Sequence, residues 1–429
     1  MVKNIIILGV GFGGLSAALR LHKKIKRRGL TDKYRVVLID KNAYHTYTPT
    51  LYEIATTSKE VAGYLDLKRI VTFPVADIIR NTSIMFVCQK IEMLDLLEGD
   101  IHLADGEKIK YEYVVIALGS EANDFGIPGV REHALQLKSF IDALRIRDAV
   151  LEKLMDRGGN GLRIVIGGGG STGVELAGEL KEWACALEET EANCNVSVSI
   201  IDGSPAVLSS FDQRVVDYAT RRLNRLGVEL VTGEFIKEVL PREIVLKNGR
   251  TLPYNVFIWA GGVRAISLLT KLPLQSEARG QRLEVGSRLE CLPSTPDLKL
   301  FGKIYALGDN ICFYDPETKK AILGVARAAI SQAGVVAHNI FEDIKREEGL
   351  SENPKHKKYN PAMEYPYVLP VGGKWAVAKI GPLVVHGYIA WIFKGLIELN
   401  YLASIMPLRK ALRTWLTGLR IFVQNDRLG

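Results

Sequence analysis

The stretch that decides the fold occurs twice in the chain. Residues 5–18 read IIILGVGFGGLSAA, and residues 164–177 read IVIGGGGSTGVELA. Each begins with β-branched apolar residues, passes through a cluster of glycines and ends in residues that favour a helix. Each is followed by a second apolar run that ends in an acid, RVVLID at residues 35–40 and VSVSIID at residues 196–202. The sequence therefore predicts two βαβ units, each with a glycine-rich turn.

The glycines follow the spacing G-x-G-x-x-G in both units. The first glycine of this pattern permits a tight turn, the second lets the backbone approach a pyrophosphate, and the third lets the helix pack closely on the strand. The phosphates then bind at the positive N-terminal end of the helix. The two sets are Gly9, Gly11 and Gly14, and Gly168, Gly170 and Gly173. Two such patterns in the same context indicate two dinucleotide sites, whereas a single one is weak evidence.

An aspartate ends the second strand of each unit. Asp40 and Asp202 are placed to accept hydrogen bonds from ribose hydroxyl groups. Because an acid repels a 2′-phosphate, Asp202 favours NADH over NADPH. Both acids lie later than the usual distance of about 20 residues, which requires a longer helix or loop. The alternative is that each is an ordinary turn residue at a strand end.

Three further apolar runs end in a turn, at residues 113–120, 255–262 and 303–310. Each predicts a buried strand. A helix is expected from about residue 325 to residue 346, and a polar loop from 347 to 361. Alternating strands and helices of this kind are typical of a parallel α/β sheet.

The composition excludes several classes of protein. The chain has 429 residues, 47% of them hydrophobic and 24% charged, with a formal net charge of +8. These values exclude a disordered chain, a collagen and a disulfide-rich mini-protein, and the mild basicity does not call for nucleic acid as a partner. The five cysteines form no C-x-x-C pair. We therefore expect reduced thiols in a cytoplasmic protein, with no disulfide framework and no metal site.

The C-terminal region is apolar but interrupted by charge. Residues 388–406 contain Lys394 and Glu398, which would be costly in a transmembrane span. After Pro407, apolar residues recur at helical spacing beside the cations Arg409, Lys410, Arg413 and Arg420. This pattern predicts an amphipathic helix at the interface of an anionic membrane. The alternative is a helix packed on its own domain or on a second subunit.

Over nearly its whole length the chain resembles the two-dinucleotide-binding flavoprotein reductases. It is more closely similar to the type II NADH dehydrogenases, which are single-subunit NADH:quinone oxidoreductases. The segments that carry the resemblance are DKNAYH at 40–45, LYEIAT at 51–56, ALGS at 117–120, FGIPG at 125–129, STGVELAGEL at 171–180, WAGGVR at 259–264 and YALGDN at 305–310. The resemblance implies an α/β fold of two Rossmann-like dinucleotide-binding domains plus a C-terminal amphipathic helical region that anchors the protein to a membrane.

The resemblance also implies the cofactors and their residues. FAD would bind to Gly9, Gly11, Phe12, Gly13, Gly14, Asp40, Lys41, His45, Ala117, Gly119, Gly308, Asp309 and Ala326. NADH, as substrate, would bind to Gly168, Gly170, Ser171, Thr172, Gly173, Asp202, Gly261 and Gly262. The FAD-binding domain would be discontinuous, over 1–120 and 295–345, with the NADH-binding domain at 121–294. Residues 346–429 would serve membrane association and dimerisation.

Four residues are candidates for the reaction itself. Glu175 is expected to face the nicotinamide, the alternative being a solvated glutamate in the first helical turn. Arg327 and Ser331 stand where the family carries the two glutamines of A-Q-x-x-x-Q, and Gln332 lies one place further on. An arginine there could stabilise an anionic reduced flavin or a quinone oxygen, or it could indicate a different acceptor. Lys379 could lie near the acceptor, or it could be a solvated surface lysine.

The implied activity is oxidation of NADH and two-electron reduction of a membrane quinone, without proton pumping. The protein would be a peripheral homodimer on the cytoplasmic face of the cell membrane. Protons could reach the quinone through His45, Lys379 or water, and His45 could instead pack near the cofactor. Three alternatives remain at this stage: a soluble FAD reductase of another acceptor, an enzyme of the sulfide:quinone type, which uses cysteines at the flavin, and a nucleotide-sensing membrane protein without turnover.

Overall fold

The computed structural model describes residues 2–156, 161–188, 194–278, 281–314, 324–361 and 365–425. The helices in these ranges are α1 (Phe12–Arg27), α2 (Leu51–Ala55), α3 (Tyr64–Val71), α4 (Val75–Ile79), α5 (Val130–His133), α6 (Phe140–Asp156), α7 (Ser171–Ala186), α8 (Gln213–Leu226), α9 (Ala326–Glu347), α10 (Tyr388–Ile405) and α11 (Leu408–Asn425). The strands are β1 (Lys3–Leu8), β2 (Tyr34–Asp40), β3 (Tyr44–Thr46), β4 (Thr72–Pro74), β5 (Met85–Cys88), β6 (Ile91–Asp95), β7 (Asp100–Leu103), β8 (Lys108–Lys110), β9 (Tyr113–Ile116), β10 (Ser120–Ala122), β11 (Leu135–Gln136), β12 (Leu162–Gly167), β13 (Val196–Asp202), β14 (Val228–Thr232), β15 (Ile236–Val239), β16 (Glu243–Leu246), β17 (Thr251–Pro253), β18 (Val256–Trp259), β19 (Val263–Ala265), β20 (Leu283–Glu284), β21 (Lys303–Ala306), β22 (Ile311–Cys312), β23 (Tyr367–Pro370), β24 (Ala376–Ile380) and β25 (Leu383–Gly387).

The chain divides into two compact units, each built from three segments. The first unit comprises Met1–His45, Phe73–Glu121 and Val263–Tyr365, and the second comprises Thr46–Thr72, Ala122–Gly262 and Pro366–Gly429. This division differs from the predicted domain boundaries. Residues 263–294 and 346–365 belong to the first unit, and both the C-terminal helices and residues 46–72 belong to the unit that carries the second glycine-rich turn.

A five-stranded parallel sheet forms the centre of the first unit, in the order β21-β9-β1-β2-β5. Residues 5–8 of β1 are fully buried, as expected of a central strand in a parallel sheet. Helix α1 connects β1 to β2 and packs along α9. The first predicted βαβ unit, the strands at 113–120 and 303–310 and the helix near 325–346 are thereby confirmed. Residues 348–361 form no helix or strand, as expected of the polar loop.

The second unit repeats this design. Its parallel sheet has the order β11-β18-β12-β13-β14, and α7 connects β12 to β13. A three-stranded antiparallel sheet, β15-β16-β17, contributes apolar side chains to the same core. The second predicted βαβ unit and the strand at 255–262 are therefore confirmed.

Two helices end the described chain, as the apolar patterns predicted. Helix α10 begins after Gly387, and α11 begins after Pro407, which cannot continue a helix begun before it. The helices pack closely enough for the ring of Trp415 to approach Gly395. Among the described helices, none combines the length and the apolarity that crossing a membrane requires.

The expectation that all cysteines are reduced is wrong. Cys185, in the last turn of α7, forms a disulfide with Cys194, which lies just before β13. The end of the helix and the start of the next strand come close in the fold, with 5.2 Å between the two Cα atoms, which the sequence does not reveal. Cys88, Cys291 and Cys312 are free, the first exposed and the other two buried.

Candidate dinucleotide sites

The first glycine-rich turn admits no side chain at two of its positions. A Cβ atom on Gly9, whose φ is +101°, would lie 2.3 Å from the carbonyl oxygen of Ala117, and one on Gly14 would lie 2.0 Å from the carbonyl oxygen of Gly9. Gly11 differs, since nothing lies within 4 Å of the place its Cβ would occupy. It is the N-cap of α1, so the positive end of the helix is open to an anion.

Asp40, the last residue of β2, is hydrogen-bonded to the first glycine-rich turn. Its Oδ2 accepts the N–H of Val10 at 2.9 Å, and its Oδ1 accepts the N–H of Asn42 at 2.8 Å. Oδ1 also accepts the side-chain amide of Asn42 at 3.2 Å, whereas Oδ2 retains a lone pair that can accept a ribose hydroxyl. Asp40 therefore fixes the turn and can still bind a sugar. Lys41, beside it, is exposed.

His45 lies beneath the same turn. Its Nδ1 is 2.8 Å from the carbonyl oxygen of Val10, and its ring meets that of Phe12 edge to face at 5.1 Å. Burial lowers the pKa of His45 to about 4, although the bond to Val10 opposes this. A neutral imidazole whose Nδ1 donates to a carbonyl supports the packing interpretation rather than that of a proton donor. Gly13 is also required, because its Cβ would lie 2.2 Å from a methyl carbon of Leu307.

The Gly308–Asp309 turn lies at the end of β21, next to β9. Gly308 has a φ of +73°, and its N–H donates to Oε1 of Gln332 at 2.7 Å. The hydroxyl of Ser120 donates to Oδ2 of Asp309 at 3.1 Å. Ala117 and Gly119 continue β9 at this edge of the sheet, and Ala326 is the first residue of α9. A small pocket opens here, lined by Gly308, Ile311, Phe313, Gly324, Val325, Ala328, Ala329 and Gln332.

Three polar residues of α9 divide between its two faces. Arg327 and Ser331 are exposed and lie one turn apart, whereas Gln332 is buried and binds Gly308. No role is predicted for Gln332 from the sequence. A signal was present, because Gln332 lies in the apolar stripe of α9, and a buried polar side chain requires a partner.

The second glycine-rich turn has the geometry of the first. A Cβ atom on Gly168, whose φ is +116°, would lie 2.5 Å from the carbonyl of Ala260, and one on Gly173 would lie 1.9 Å from the carbonyl oxygen of Gly168. Gly170 is the N-cap of α7 and has open space beside it. Ser171 and Thr172 begin that helix.

The acid of the second unit also holds its turn. Oδ2 of Asp202 accepts the N–H of Gly169 at 2.5 Å, and Oδ1 accepts the N–H of Ser204 at 2.7 Å. Gly261 and Gly262 follow β18, with Gly261 against the ring of Trp259 and Gly262 at a φ of +149°. The predicted nucleotide residues of this unit thus meet at one edge of its sheet.

Glu175 lies two residues beyond Gly173, in a cluster of acids. Burial raises the pKa of Glu175 to about 8, with Lys394 opposing this shift and Glu53 adding to it. Glu53 of α2 and Lys394 of α10 form an ion pair at 2.5 Å. Burial also raises the pKa of Glu398 to about 7. Glu175 itself is half-buried, so it is not a fully solvated glutamate.

Glu53, Lys394 and Glu398 were not proposed as site residues from the sequence. The signal was their position, since Lys394 and Glu398 lie one turn apart within an apolar run. A charge in such a run is expensive unless it is paired, which indicates a buried partner elsewhere in the chain.

Lys379 of β24 is not a solvated surface lysine. It is 5% exposed, and its Nζ lies 2.9 Å from Oδ2 of Asp212, the N-cap of α8. Two hydrogen bonds, the larger contribution from Arg214 and the smaller from Lys379, hold the pKa of Asp212 well below its usual range. This contact ties β24 to the start of α8.

Comparison with known proteins places the chain among flavoprotein reductases. Residues 3–333 match the family described as pyridine nucleotide-disulphide oxidoreductase. The type II NADH:quinone oxidoreductase Ndh of Mycobacterium tuberculosis is 28% identical, over 96% of this chain and 87% of its own length. The structure of NDH2 from Plasmodium falciparum in complex with NADH superimposes with a TM-score of 0.80 and 19% identity, covering 100% of both chains. The sulfide:quinone oxidoreductase from Aquifex aeolicus gives a TM-score of 0.75 and 19% identity, covering 95% of this chain and 92% of that one.

At such low identity the two solved structures show the fold alone, and both agree with the α/β dinucleotide-binding architecture found here. The family match extends from β1 to α9 and includes both glycine-rich turns and the Gly308–Asp309 turn. The chain belongs to the pyridine nucleotide-disulphide oxidoreductase family.

Proposed function

We propose that this chain is an FAD-dependent NADH:quinone oxidoreductase that does not pump protons. The observation that carries the proposal is the presence of two complete glycine-rich turns, each bonded to its own aspartate and each open at a helix N-terminus. The names of the curated relatives support the assignment of NADH as donor and quinone as acceptor. FAD, when bound, supplies the flavin ring that takes a hydride from NADH and passes two electrons to the quinone.

The first unit has the residues that FAD requires. The open N-terminus of α1 at Gly11 suits a pyrophosphate, and the remaining lone pair on Oδ2 of Asp40 suits the adenosine ribose. The Gly308–Asp309 turn, fixed by Gln332 and Ser120, would hold the ribityl and phosphate part of the cofactor. Phe12, Gly13, Lys41, His45, Ala117, Gly119 and Ala326 complete the proposed FAD site.

The second unit has the corresponding residues for NADH. The N-terminus of α7, with Gly170, Ser171 and Thr172, would bind the pyrophosphate, and Asp202 would bind the adenosine ribose. A carboxylate at that place repels a 2′-phosphate and so selects NADH over NADPH. Gly261 and Gly262 provide a stretch of backbone without side chains at the same edge of the sheet.

Four residues are proposed to act on the reaction. Because burial raises its pKa to about 8, Glu175 would carry a proton at pH 7. It lies two residues beyond Gly173 of the second glycine-rich turn, where NADH would bind. Arg327 and Ser331, exposed on one face of α9, would meet the acceptor, and the arginine would stabilise a developing negative charge. Lys379 is proposed to contribute through the position of α8, since its ammonium is bonded to Asp212.

We further propose that α10 and α11 bind the cytoplasmic face of the cell membrane. Large apolar side chains remain exposed along both helices, namely Tyr388, Ile389, Ile392, Leu396, Ile397, Leu408, Leu412, Leu416 and Val423. On α11 the cations Arg409, Arg413 and Arg420 border this stripe, as in helices that lie on anionic lipid. The same helices would support a homodimer, as the family resemblance implies.

Stopped-flow kinetics tests the assignment directly. NADH should bleach the flavin absorption, a panel of quinones should restore it, and NADPH should react more slowly. Sulfide in place of NADH should leave the flavin oxidised, which separates this function from the sulfide:quinone alternative. A purified protein without bound flavin, or a reduced flavin that no quinone re-oxidises, contradicts the proposal.

The membrane interaction has its own test. The full chain should float with vesicles that contain phosphatidylglycerol, and replacement of Leu412 and Leu416 by serine should weaken flotation. A protein that stays in the soluble fraction whatever the lipid favours the soluble reductase.

A further inference from the structure

One lysine in the second unit interacts with four carboxylates. Lys394 of α10 is paired with Glu53 of α2, and the charges of Glu179 and Glu398 act on it as well. Helix α2 packs on α7, which carries Glu175, and the charges of both members of the pair act on Glu175. One ammonium cannot neutralise four carboxylates. Which of the four carboxyl groups are protonated therefore depends on which of them lies closest to the ammonium.

Glu53 is the carboxylate that is paired with the ammonium of Lys394. It is 2% exposed, its Oε1 lies 2.5 Å from Nζ of Lys394, and its Oε2 has no hydrogen-bond partner among the described residues. The ammonium lies between two aromatic rings, 5.1 Å from the centre of Tyr52 and 5.8 Å from that of Phe422. Burial lowers the pKa of Lys394, but Glu53 and Glu398 outweigh this effect, so the lysine remains charged.

The other titratable groups around the cluster are tyrosines or already have partners. Tyr47 and Tyr401 stack at 5.4 Å, and burial raises the pKa of each. From α6, which packs on α2, comes Arg147, bonded to Asp148. The strands against α10 contribute Lys379, bonded to Asp212, and His386, whose ring lies on that of Tyr218. Charge exchange within the cluster therefore involves Glu53, Glu175, Glu179, Lys394 and Glu398.

We propose that Glu53 is a positioning residue for the reaction: by holding Lys394 it directs the positive charge away from Glu175 and so keeps a proton on that side chain. The inference rests on the proposed function, in which NADH, one proton and a quinone give NAD⁺ and a quinol. The hydride carries one hydrogen, and the second must be supplied as a proton from the protein or from water. A group that sets the protonation of Glu175 thus sets how the reaction depends on pH.

The test is a pH titration of Glu175 in the flavin-loaded, full-length protein. Infrared spectroscopy detects the protonated carboxyl, and its band is assigned by its absence from Glu175→Gln. In Glu53→Gln the charge of Lys394 acts fully on the remaining acids, so the titration of Glu175 should move to lower pH by about one unit. Glu53→Asp, which retains the charge, should restore the wild-type titration, and the exposed Glu60→Gln should leave it unchanged.

The pH profile of flavin re-oxidation by quinone should move in the same direction in Glu53→Gln, while flavin reduction by NADH stays within about twofold. A folded Glu53→Gln that titrates like the wild type overturns the inference. If Glu53→Gln is unstable in buffer, the same titration is made in sucrose, which favours the folded state, and the shift of the Glu175 titration to lower pH is still expected. Failure of the wild type to reduce quinone would contradict the proposed function, yet the infrared titration would still decide the role of Glu53.

Discussion

Replacement of Lys394 by methionine should destabilise α10 strongly at neutral pH and only slightly at pH 5. The change removes the partner of Glu53, whose Oε2 already lacks a hydrogen bond among the described residues. Removing one member of a buried ion pair costs about 3–5 kcal/mol when the other charge remains. Glu53 can avoid that cost by taking up a proton, which sets an upper limit to the loss.

The limit follows from the pKa of the carboxyl. Protonating a glutamate whose ordinary pKa is 4.5 costs free energy at any higher pH. At pH 7 this cost is about 3 kcal/mol, at about 1.4 kcal/mol per unit of pH. At pH 5 the same step costs less than about 1 kcal/mol. In the variant the folded state holds a proton that the unfolded state releases above pH 4.5. The free energy of unfolding of the variant therefore falls as pH rises above 4.5.

Hydrogen exchange of the amides in α10 is the suitable assay, because a chain of two units need not unfold in a single step. Lys59→Met is the matched control, since Lys59 pairs with Asp148 at the surface of the same unit and should lose less than about 1 kcal/mol. The double variant Glu53→Gln/Lys394→Met should recover most of the loss, because neither member of the ion pair is left without its partner. An equal loss at pH 5 and pH 7, or a loss no larger than in Lys59→Met, would refute the reasoning.

Four further outcomes follow from the site geometry. Gly173→Ala places a Cβ 1.9 Å from the carbonyl oxygen of Gly168, so the turn must shift, and the KM for NADH should rise at least tenfold while bound flavin is retained in the absorption spectrum. Asp202→Ala should reduce the preference for NADH over NADPH, measured as the ratio of the two kcat/KM values. Glu175→Gln should remove about 3 kcal/mol of the fall in stability between pH 5 and pH 8, because a carboxyl with a pKa of about 8 binds a proton in the folded state that it loses on unfolding. Chemical denaturation at several pH values measures this. Arg327→Gln should change the KM for quinone more than the rate of flavin reduction by NADH, and equal effects on both half-reactions would contradict its placement at the acceptor.

The sequence predicts the two parallel sheets well because their signals are local. Apolar runs, glycine spacing and terminal acids lie within about forty residues of one another, and both βαβ units were found from them. Helix α9 was placed to within one residue at each end by its periodic apolar stripe. These features form because residues that are close in the sequence all favour the same local structure.

Contacts between distant segments could not be predicted in the same way. Glu53 meets Lys394 only because α2 and α10 come together in the second unit, and Cys185 meets Cys194 because a helix end approaches a strand start. The polar residues did show a local irregularity, whereas the two cysteines did not. Glu53 and Lys394 are charges within apolar segments, and Gln332 is an amide in a buried stripe. Such irregularities show that a partner exists but do not identify it.

The two glycine-rich turns explain why one pattern predicted both fold and ligand. In each turn the aspartate accepts the N–H of the residue between the first two glycines, Val10 in one case and Gly169 in the other. Its second oxygen accepts the N–H of the residue two places later, Asn42 or Ser204. The acid therefore holds the loop before any nucleotide binds, and the oxygen bonded to the glycine-rich turn would offer its second lone pair to a ribose hydroxyl. Because the carboxylate that stabilises the turn would also bind the sugar, the residues that specify the fold in both units are the ones proposed to bind the ligand.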